Sequence, residues 1–215
     1  MAIVFESPNV VVGQVSVSGM DNNVYVLSSR NSGEQIVIDA ADDLGQIETL
    51  LREVSLTGMA QLKLVITTHE HFDHVRALGP LVVSTGARSV AGGDAPRIAA
   101  AQGVPTDEVY DGDTVGVNGI SLKVVSLVGH TAGSIALVYE EMGYPTLLFT
   151  GDSLFPGGVG NTDHVQSRFL SLFTDVVTKL FNEYPDNTIV LPGHGAATTL
   201  GVERPHLDEW KLRGW

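Results

Sequence analysis

The stretch that decides the fold is Val65–Gly79, VITTHEHFDHVRALG, which places three histidines and an aspartate within six residues directly after an apolar run. The whole chain has only seven histidines, so their concentration here calls for a common role. The apolar run predicts a buried strand that ends at Thr67, where the polar cluster begins. A loop that leaves a strand can turn several side chains toward one point, as a metal ion requires. The candidate ligands in this loop are His69, His71, Asp73 and His74.

The composition restricts the chemistry that the chain can perform. There are no cysteines, which excludes disulfides, thiolate nucleophiles and thiolate metal ligands, and leaves His, Asp and Glu for metal or acid/base chemistry. The net charge of −13, with only 12 scattered Lys and Arg residues, disfavours a nucleic-acid partner. No apolar run approaches the roughly 20 residues that cross a bilayer, and no basic segment followed by a long apolar one opens the chain. We therefore expect a cytoplasmic protein that neither spans a membrane nor is exported.

Hydrophobic periodicity predicts an α/β protein. At 215 residues the chain fits one compact domain, residues 1–215. Alternating apolar residues predict strands through the first third, followed by an amphipathic helix capped by Asp42 or Asp43. Strands and helices then alternate again, and a stripe of apolar residues from Phe169 to Leu180 predicts a core-facing helix. A last strand, NTIVLPGHG, is followed by what we predict to be a short polar tail.

Three further candidate ligands follow apolar strands and lie beside glycines, where the backbone can turn closely. They are His130 in VGHTAG, Asp152 in TGDSLF and His194 in PGHGA. Together with the cluster they make seven candidates, which is more than one tetrahedral ion would use. Two ions roughly 3.5–4 Å apart could hold a bridging hydroxide and polarise a substrate carbonyl. The reaction class indicated is hydrolysis.

The ordered motifs THEHFDH, VGHTAGS, FTGDSLF and LPGHG resemble the metallo-β-lactamase-fold superfamily, over nearly the whole chain. The resemblance implies a four-layer αβ/βα sandwich with two divalent ions at one sheet edge, Zn²⁺ first, with Fe or Mn as alternatives. Asp73 and Asp152 would also serve in catalysis. The implied ligands are His69, His71 and His130 for the first ion, Asp73, His74 and His194 for the second, and Asp152 between them.

Within the superfamily, GDSLFPGGVGNTDH and PGHGAATTLGVERPHLDEW look most like the glyoxalase II branch, whose members hydrolyse thioesters such as hydroxyacylglutathione. Two departures argue against glutathione itself. The chain stops about twenty residues after His194, so we expect no C-terminal helical domain to hold glutathione, and Asn161 replaces the arginine of the GxGR segment. A thioester of another thiol, another ester or a lactone stays open. The missing cysteine also disfavours β-lactam hydrolysis of the class B1 kind.

Two other functions compete with hydrolysis. A mononuclear iron enzyme resembling persulfide dioxygenases would use only His69, His130 and Asp152, and GVGNTD resembles that group's GxGRTD. A metal-stabilised binding protein would tolerate the loss of ligands, yet none is lost. The segment SLFPGG favours the hydrolases. We expect a small-molecule acyl substrate, no nucleic-acid or membrane partner, and a pocket formed with Phe72, Phe155 and Arg168; the sequence leaves the oligomeric state open.

Overall fold

The computed structural model describes residues 1–56 and 58–214, and in them two large β-sheets pack face to face. Helices cover the outer face of each sheet, so the layers run helix, sheet, sheet, helix. The predicted α/β four-layer αβ/βα sandwich is confirmed.

The first sheet has seven strands in chain order. They are β1 Ala2–Glu6, β2 Val10–Val17, β3 Asn22–Ser29, β4 Gln35–Ile38, β5 Leu62–Thr67, β6 Arg88–Ala91 and β7 Thr106–Glu108. Strands β1 to β4 are antiparallel to their neighbours, whereas β4 to β7 run parallel. Because parallel strands end at the same edge of a sheet, the loops after β4, β5 and β6 leave together.

In the part of the chain that the structure describes, the second sheet has six strands, β8 Thr114–Val117, β9 Ile120–Ser126, β10 Ile135–Tyr139, β11 Leu147–Gly151, β14 Ile189–Pro192 and β15 Thr198–Thr199. Their order across the sheet is β15-β14-β11-β10-β9-β8. Two short strands, β12 Leu154–Phe155 and β13 Gly158–Val159, form a separate hairpin. Strands β11 and β14 are parallel neighbours, so the segments after Gly151 and Pro192 leave the sheet side by side.

Within residues 1–56 and 58–214, six α-helices complete the layers. They are α1 Leu44–Glu53, α2 Leu78–Thr85, α3 Ala95–Gln102, α4 Gln166–Val176, α5 Leu200–Glu203 and α6 Leu207–Arg213. Of the two predicted caps of α1, Asp42 and Asp43, the structure has Asp43, whose carboxylate accepts from the Gln46 amide. Helix α4 buries Phe169 and Leu172 as its apolar stripe predicts, and a π-helical turn, Val177–Phe181, continues it. None of the helices within the described ranges has the length and apolar character that crossing a bilayer demands.

Successive side chains of the central strands alternate between the two faces of the first sheet and therefore contribute to two cores. In β3, Tyr25 and Leu27 enter the core between the sheets, whereas Val24 and Val26 face the core under α1 to α3. Successive side chains of a strand point to opposite faces, so a strand covered on both sides reads as a continuous apolar run. A third core lies between the second sheet and α4.

One prediction about local structure is wrong. The segment after His194 is not a polar tail, because it forms β15, α5 and α6 and buries Trp210 against Phe181, with ring centroids 6.3 Å apart. Few apolar residues mark this segment, so periodicity did not reveal it.

Candidate metal centre

Four strand ends bring the predicted ligands to one edge of the sandwich. The HEHFDH loop follows β5 and includes one turn of 3₁₀ helix, Phe72–His74. His130 follows β9, Asp152 follows β11, and His194 follows β14. Their ligand atoms form three overlapping groups, each with all members within 4.8 Å of one another. Residues far apart in sequence therefore converge, as expected of a metal centre.

The first half-site is formed by His69, His71 and His130. The Nε2 atom of His130 lies 2.9 Å from Nδ1 of His71. The rings of His69 and His71, and those of His69 and His130, are nearly perpendicular, with centroids 4.8 Å apart in both pairs. His69 and His130 are buried, while His71 is exposed. Three imidazole nitrogens thus face a common point that is buried on the side of His69 and His130 and open on the side of His71.

The second half-site is formed by Asp73, His74 and His194. The Nε2 atoms of His74 and His194 are 3.1 Å apart, and Oδ2 of Asp73 lies 3.7 Å and 3.4 Å from them, respectively. Asp73 and His74 are buried and His194 is half-buried. This half-site combines two nitrogens with a carboxylate oxygen.

Asp152 lies between the half-sites and contacts ligands of both. Its Oδ2 is 3.6 Å from Nε2 of His130 and 3.4 Å from Nε2 of His194, and its Oδ1 is 3.5 Å from Nε2 of His74. There is no room for a larger neighbour, because a Cβ added to Gly193 would come within 2.4 Å of Oδ1 of Asp152. The carboxylate is positioned to bridge two ions.

Hydrogen bonds fix the outward-facing nitrogen of four imidazoles. Nδ1 of His74 pairs with Oδ2 of Asp39 at 3.0 Å, and Nδ1 of His69 pairs with the Thr68 hydroxyl at 3.0 Å. The other two pair with backbone carbonyls: Nδ1 of His130 with Asn161 at 2.8 Å and Nδ1 of His194 with Met20 at 2.8 Å. A donated Nδ1–H leaves the Nε2 lone pair free to coordinate a metal. The imidazoles are therefore oriented as ligands by the fold itself.

Two buried polar atoms in the centre have no hydrogen-bond partner among the described residues: Nε2 of His69 and Oδ1 of Asp152. Leaving such an atom unsatisfied costs about 1–3 kcal/mol. Both atoms belong to the predicted ligand set and point into it, and both are donors of the kind that Zn²⁺, Fe²⁺ and Mn²⁺ accept. The residues present fit a metal centre.

The electrostatics of the first half-site favour neutral imidazoles. Burial lowers the pKa of His69 well below its usual value, and the neighbouring His74 lowers it further. Burial likewise lowers the pKa of His130, although Asp152 opposes the shift. Neutral imidazole is the metal-binding form, so no proton has to leave these two residues at neutral pH.

The second half-site has the opposite character. Burial alone would lower the pKa of His74, but the neighbouring carboxylates of Asp152 and Asp39 outweigh it and raise the pKa to about 10. Asp152 also raises the pKa of His194. For Asp152 itself, burial raises the pKa, yet His194 and His74 more than compensate and hold it below its usual range. Without a metal, the carboxylates of this half-site favour the protonated forms of His74 and His194.

Several buried polar residues around the centre were not predicted from the sequence. Asn22 donates from Nδ2 to Oδ2 of Asp73 at 3.0 Å, and Asp39 accepts from the amide and hydroxyl of Thr68 as well as pairing with His74. Asp39 directly follows an apolar strand, as the predicted ligands do, so its position in the sequence could have marked it as part of the centre. Asn22 offered none.

The three predicted substrate contacts lie in different settings. Phe72 is exposed, with the Arg76 guanidinium 4.7 Å above its ring, and Phe155 lies half-buried with its ring 6.4 Å from that of His194. Arg168 donates to the carbonyls of Gly129 and His130 and to Asp163. Each nitrogen of its guanidinium therefore donates a hydrogen bond within the protein, which suits a wall of the cavity better than a substrate anchor.

A cavity of about 330 Å³ opens beside the first half-site. Its lining residues are Glu70, His71, Arg97, Val128, Gly129, His130, Thr131, Ala132 and Arg168. The side chain of Arg97 is 70% exposed and pairs with Glu70. A substrate bound here would lie directly against His71 and His130.

An αβ/βα sandwich with a His/Asp centre at one sheet edge defines a class of metal-dependent proteins, and comparison with known families gives the family. The family model described as the metallo-beta-lactamase superfamily matches residues 17–194. The chain belongs to that superfamily.

The similar members of this superfamily include proteins named for different activities. An uncharacterised protein of Mycobacterium tuberculosis is 30% identical over 207 residues, covering 85% of this chain and 89% of its own length. Hydroxyacylglutathione hydrolase GloC of Haemophilus influenzae is 29% identical over 179 residues, covering 76% of this chain and 82% of its own. The mitochondrial persulfide dioxygenase ETHE1 of mouse is 31% identical over 173 residues, covering 79% and 62%. The matches therefore include both a hydrolase and a dioxygenase.

Solved structures give the same picture. The ETHE1 structure from Myxococcus xanthus superposes with a TM-score of 0.76 at 28% identity and covers 93% of this chain and 84% of its own. A di-iron-bound form of the protein TTHA1623 superposes with a TM-score of 0.68 at 29% identity, covering 89% and 96%. The fold and a two-metal centre thus occur together in a similar structure.

Proposed function

We propose that the protein is a binuclear metal-dependent hydrolase of a thioester or a related small acyl substrate. The observation that carries the proposal is the position of Asp152, whose two oxygens contact ligands of both half-sites. A single ion would leave the second half-site and its supporting Asp39 without a purpose. Similarity to GloC, a hydroxyacylglutathione hydrolase by name, supports the thioester as the substrate class.

Two divalent ions bound in the half-sites would supply Lewis acidity that lowers the pKa of water toward neutrality and polarises a carbonyl. His69, His71 and His130 would hold one ion, and Asp73, His74 and His194 the other, with Asp152 shared. The chain's own residues do the positioning. Asn22 holds the Asp73 carboxylate and Asp39 holds His74 by its outward nitrogen.

The substrate would enter from the open side of the centre, where His71 is exposed. The cavity beside the first half-site is where we place the group attached to the scissile carbonyl. Arg97 offers an exposed guanidinium there, although Glu70 already pairs with it. Phe155, beside His194, is positioned to contact the opposite end of the substrate.

A second candidate is a mononuclear iron dioxygenase, and similarity to the two ETHE1 proteins is the observation that favours it. Such an enzyme would use His69, His130 and Asp152, a two-histidine, one-carboxylate set. The remaining ligand positions would then hold no ion.

The deciding experiment is metal analysis of protein prepared without chelators or an affinity-tag metal, coupled to activity measurements. We expect about two ions per chain, with zinc ahead of iron and manganese, and cleavage of members of a thioester panel. Lactones and oxygen esters belong in the same panel, because the centre would polarise their carbonyls equally. One iron per chain together with oxygen consumption on a persulfide would overturn the proposal in favour of the dioxygenase.

A further inference from the structure

The buried carboxylate of Asp94 touches neither half-site directly, yet it joins the two loops that supply the first half-site. Asp94 is 1% exposed and stands immediately before α3, but its side chain makes no capping hydrogen bond to that helix. Its Oδ2 instead accepts from the amide of Glu70 at 3.1 Å and from the hydroxyl of Thr131 at 2.5 Å.

The positions of these two donors are what give Asp94 its significance. Glu70 lies between His69 and His71, and Thr131 directly follows His130. One carboxylate oxygen therefore binds the backbone between two ligands of the first half-site and the side chain next to the third. The Thr131 amide in turn donates to the hydroxyl of Ser134, which fixes the turn after His130.

Close backbone packing holds Asp94 against the same turn. A Cβ on Gly133 would lie 2.1 Å from the backbone nitrogen of Asp94, and a Cβ on Gly92 would lie 2.4 Å from the carbonyl oxygen of Gly133. The segment before α3 and the turn after His130 thus fit together only without side chains at these two positions. Asp94 cannot shift away from the His130 loop without breaking this contact.

We propose that Asp94 is a positioning residue for the first half-site, and that it sets the affinity of the first ion by holding the HEHFDH loop and the His130 loop in register. The proposal goes beyond the proposed function, since it concerns metal binding whatever the substrate. Partners that orient metal ligands typically contribute 10–100-fold to metal affinity.

The test compares Asp94→Ala with Glu203→Ala. Glu203 is a matched control, because it is also a buried carboxylate that accepts from one backbone amide, Gly157, and one threonine hydroxyl, Thr198. Metal-free protein is titrated with Zn²⁺ against a chromophoric chelator, and the two dissociation constants are fitted. We expect D94A to lower the affinity for one ion by about 10–100-fold, and E203A to leave both dissociation constants unchanged.

The affected half-site is identified in two backgrounds. In the His194→Ala background the first half-site remains intact, and adding D94A must lower the zinc affinity. In the His130→Ala background the second half-site remains intact, and adding D94A must leave the zinc affinity unchanged. Asp94→Asn should recover most of the lost affinity, because an amide oxygen can still accept both hydrogen bonds. Unchanged zinc affinity in D94A, or equal weakening of both ions, would overturn the proposal.

A folding defect in D94A would not obscure the answer. Thr131→Val removes only one of the two donors and should by itself weaken the first ion, while Thr131→Ser should keep the wild-type constant. If T131V binds both ions as the wild type does, Asp94 does not act through the His130 loop. All these measurements use no substrate, so they stay informative even if the protein hydrolyses no thioester.

Discussion

The two half-sites lie a few ångströms apart, yet they are built on different principles. The first consists of three imidazoles, and burial keeps His69 and His130 neutral. The second contains a carboxylate of its own, Asp73, and a histidine whose pKa neighbouring carboxylates raise to about 10. The first half-site is therefore ready to accept an ion at neutral pH, whereas the second must first give up a proton. We infer that the two ions bind with different strength and different dependence on pH.

The largest expected effect tests whether both half-sites are needed. His74→Ala removes a ligand of the second half-site and should lower thioesterase activity by at least about 100-fold. This exceeds the roughly 10–100-fold loss expected when only a residue that orients a ligand is removed. The measurement is kcat/KM on the best substrate of the panel. His206→Ala, which changes an exposed histidine, is the control and should be neutral. Near-normal turnover in H74A would remove the second ion from the mechanism.

The next effect separates the supports of the half-sites. Asp39→Asn replaces the carboxylate behind His74 by an amide and should lower the affinity for the second ion by about 10–100-fold. The affinity for the first ion should fall less, because Asp39 reaches His69 only through the Thr68 hydroxyl. Titration with zinc against a competing chelator gives both constants. The pattern must be the reverse of that expected for D94A. Equal loss of affinity at the two half-sites in D39N would show that Asp39 does not act mainly on the second.

The pH dependence follows from the difference in protonation. In the metal-free protein His74 is protonated at pH 7, because its pKa is raised to about 10, and a bound ion must displace that proton. Affinity for the second ion should therefore rise about tenfold per pH unit between pH 7 and 9, whereas affinity for the first should stay nearly constant above neutrality. Zinc titrations at three pH values measure both slopes. Equal slopes would mean that the half-sites do not differ in this way.

The smallest effect concerns the cavity, which borders only the first half-site. Arg97→Gln should raise KM about fivefold for thioesters that carry a carboxylate, since a surface ion pair contributes up to about 1 kcal/mol, and should leave kcat unchanged. Arg88→Gln is the matched control, because Arg88 is likewise an exposed arginine paired with one carboxylate. An equal KM rise on uncharged thioesters would exclude charge recognition by Arg97.

Local patterns in the sequence predicted the α/β class and all seven residues that the structure gathers, whereas the four-layer sandwich was implied by the family resemblance. His69 to His74 are adjacent in the chain, and each distant candidate follows an apolar strand beside glycine. The supporting residues were out of reach for a physical reason. Asn22 and Asp73 are 51 positions apart, and Asp94 and Thr131 are 37 apart, so only the folded chain brings them together.

The C-terminal segment shows a different limit of the sequence pattern. Trp210 is buried in the core under α4, yet its neighbours in α6 are mostly charged or exposed. A single large aromatic residue can anchor a short helix without producing the periodic stripe that identified α4. A single residue of this kind, Trp210, is enough to make the segment pack on the fold as a helix where the sequence pattern predicted a tail.

The fixed outward nitrogens of four imidazoles have a consequence for the speed of metal exchange. A centre whose ligands must be gathered exchanges ions at the pace of that rearrangement, whereas here His69, His74, His130 and His194 are already held by hydrogen bonds. What remains is dehydration of the incoming ion and departure of protons. A centre preformed in this way should therefore exchange its ions faster than one whose ligands have to be gathered.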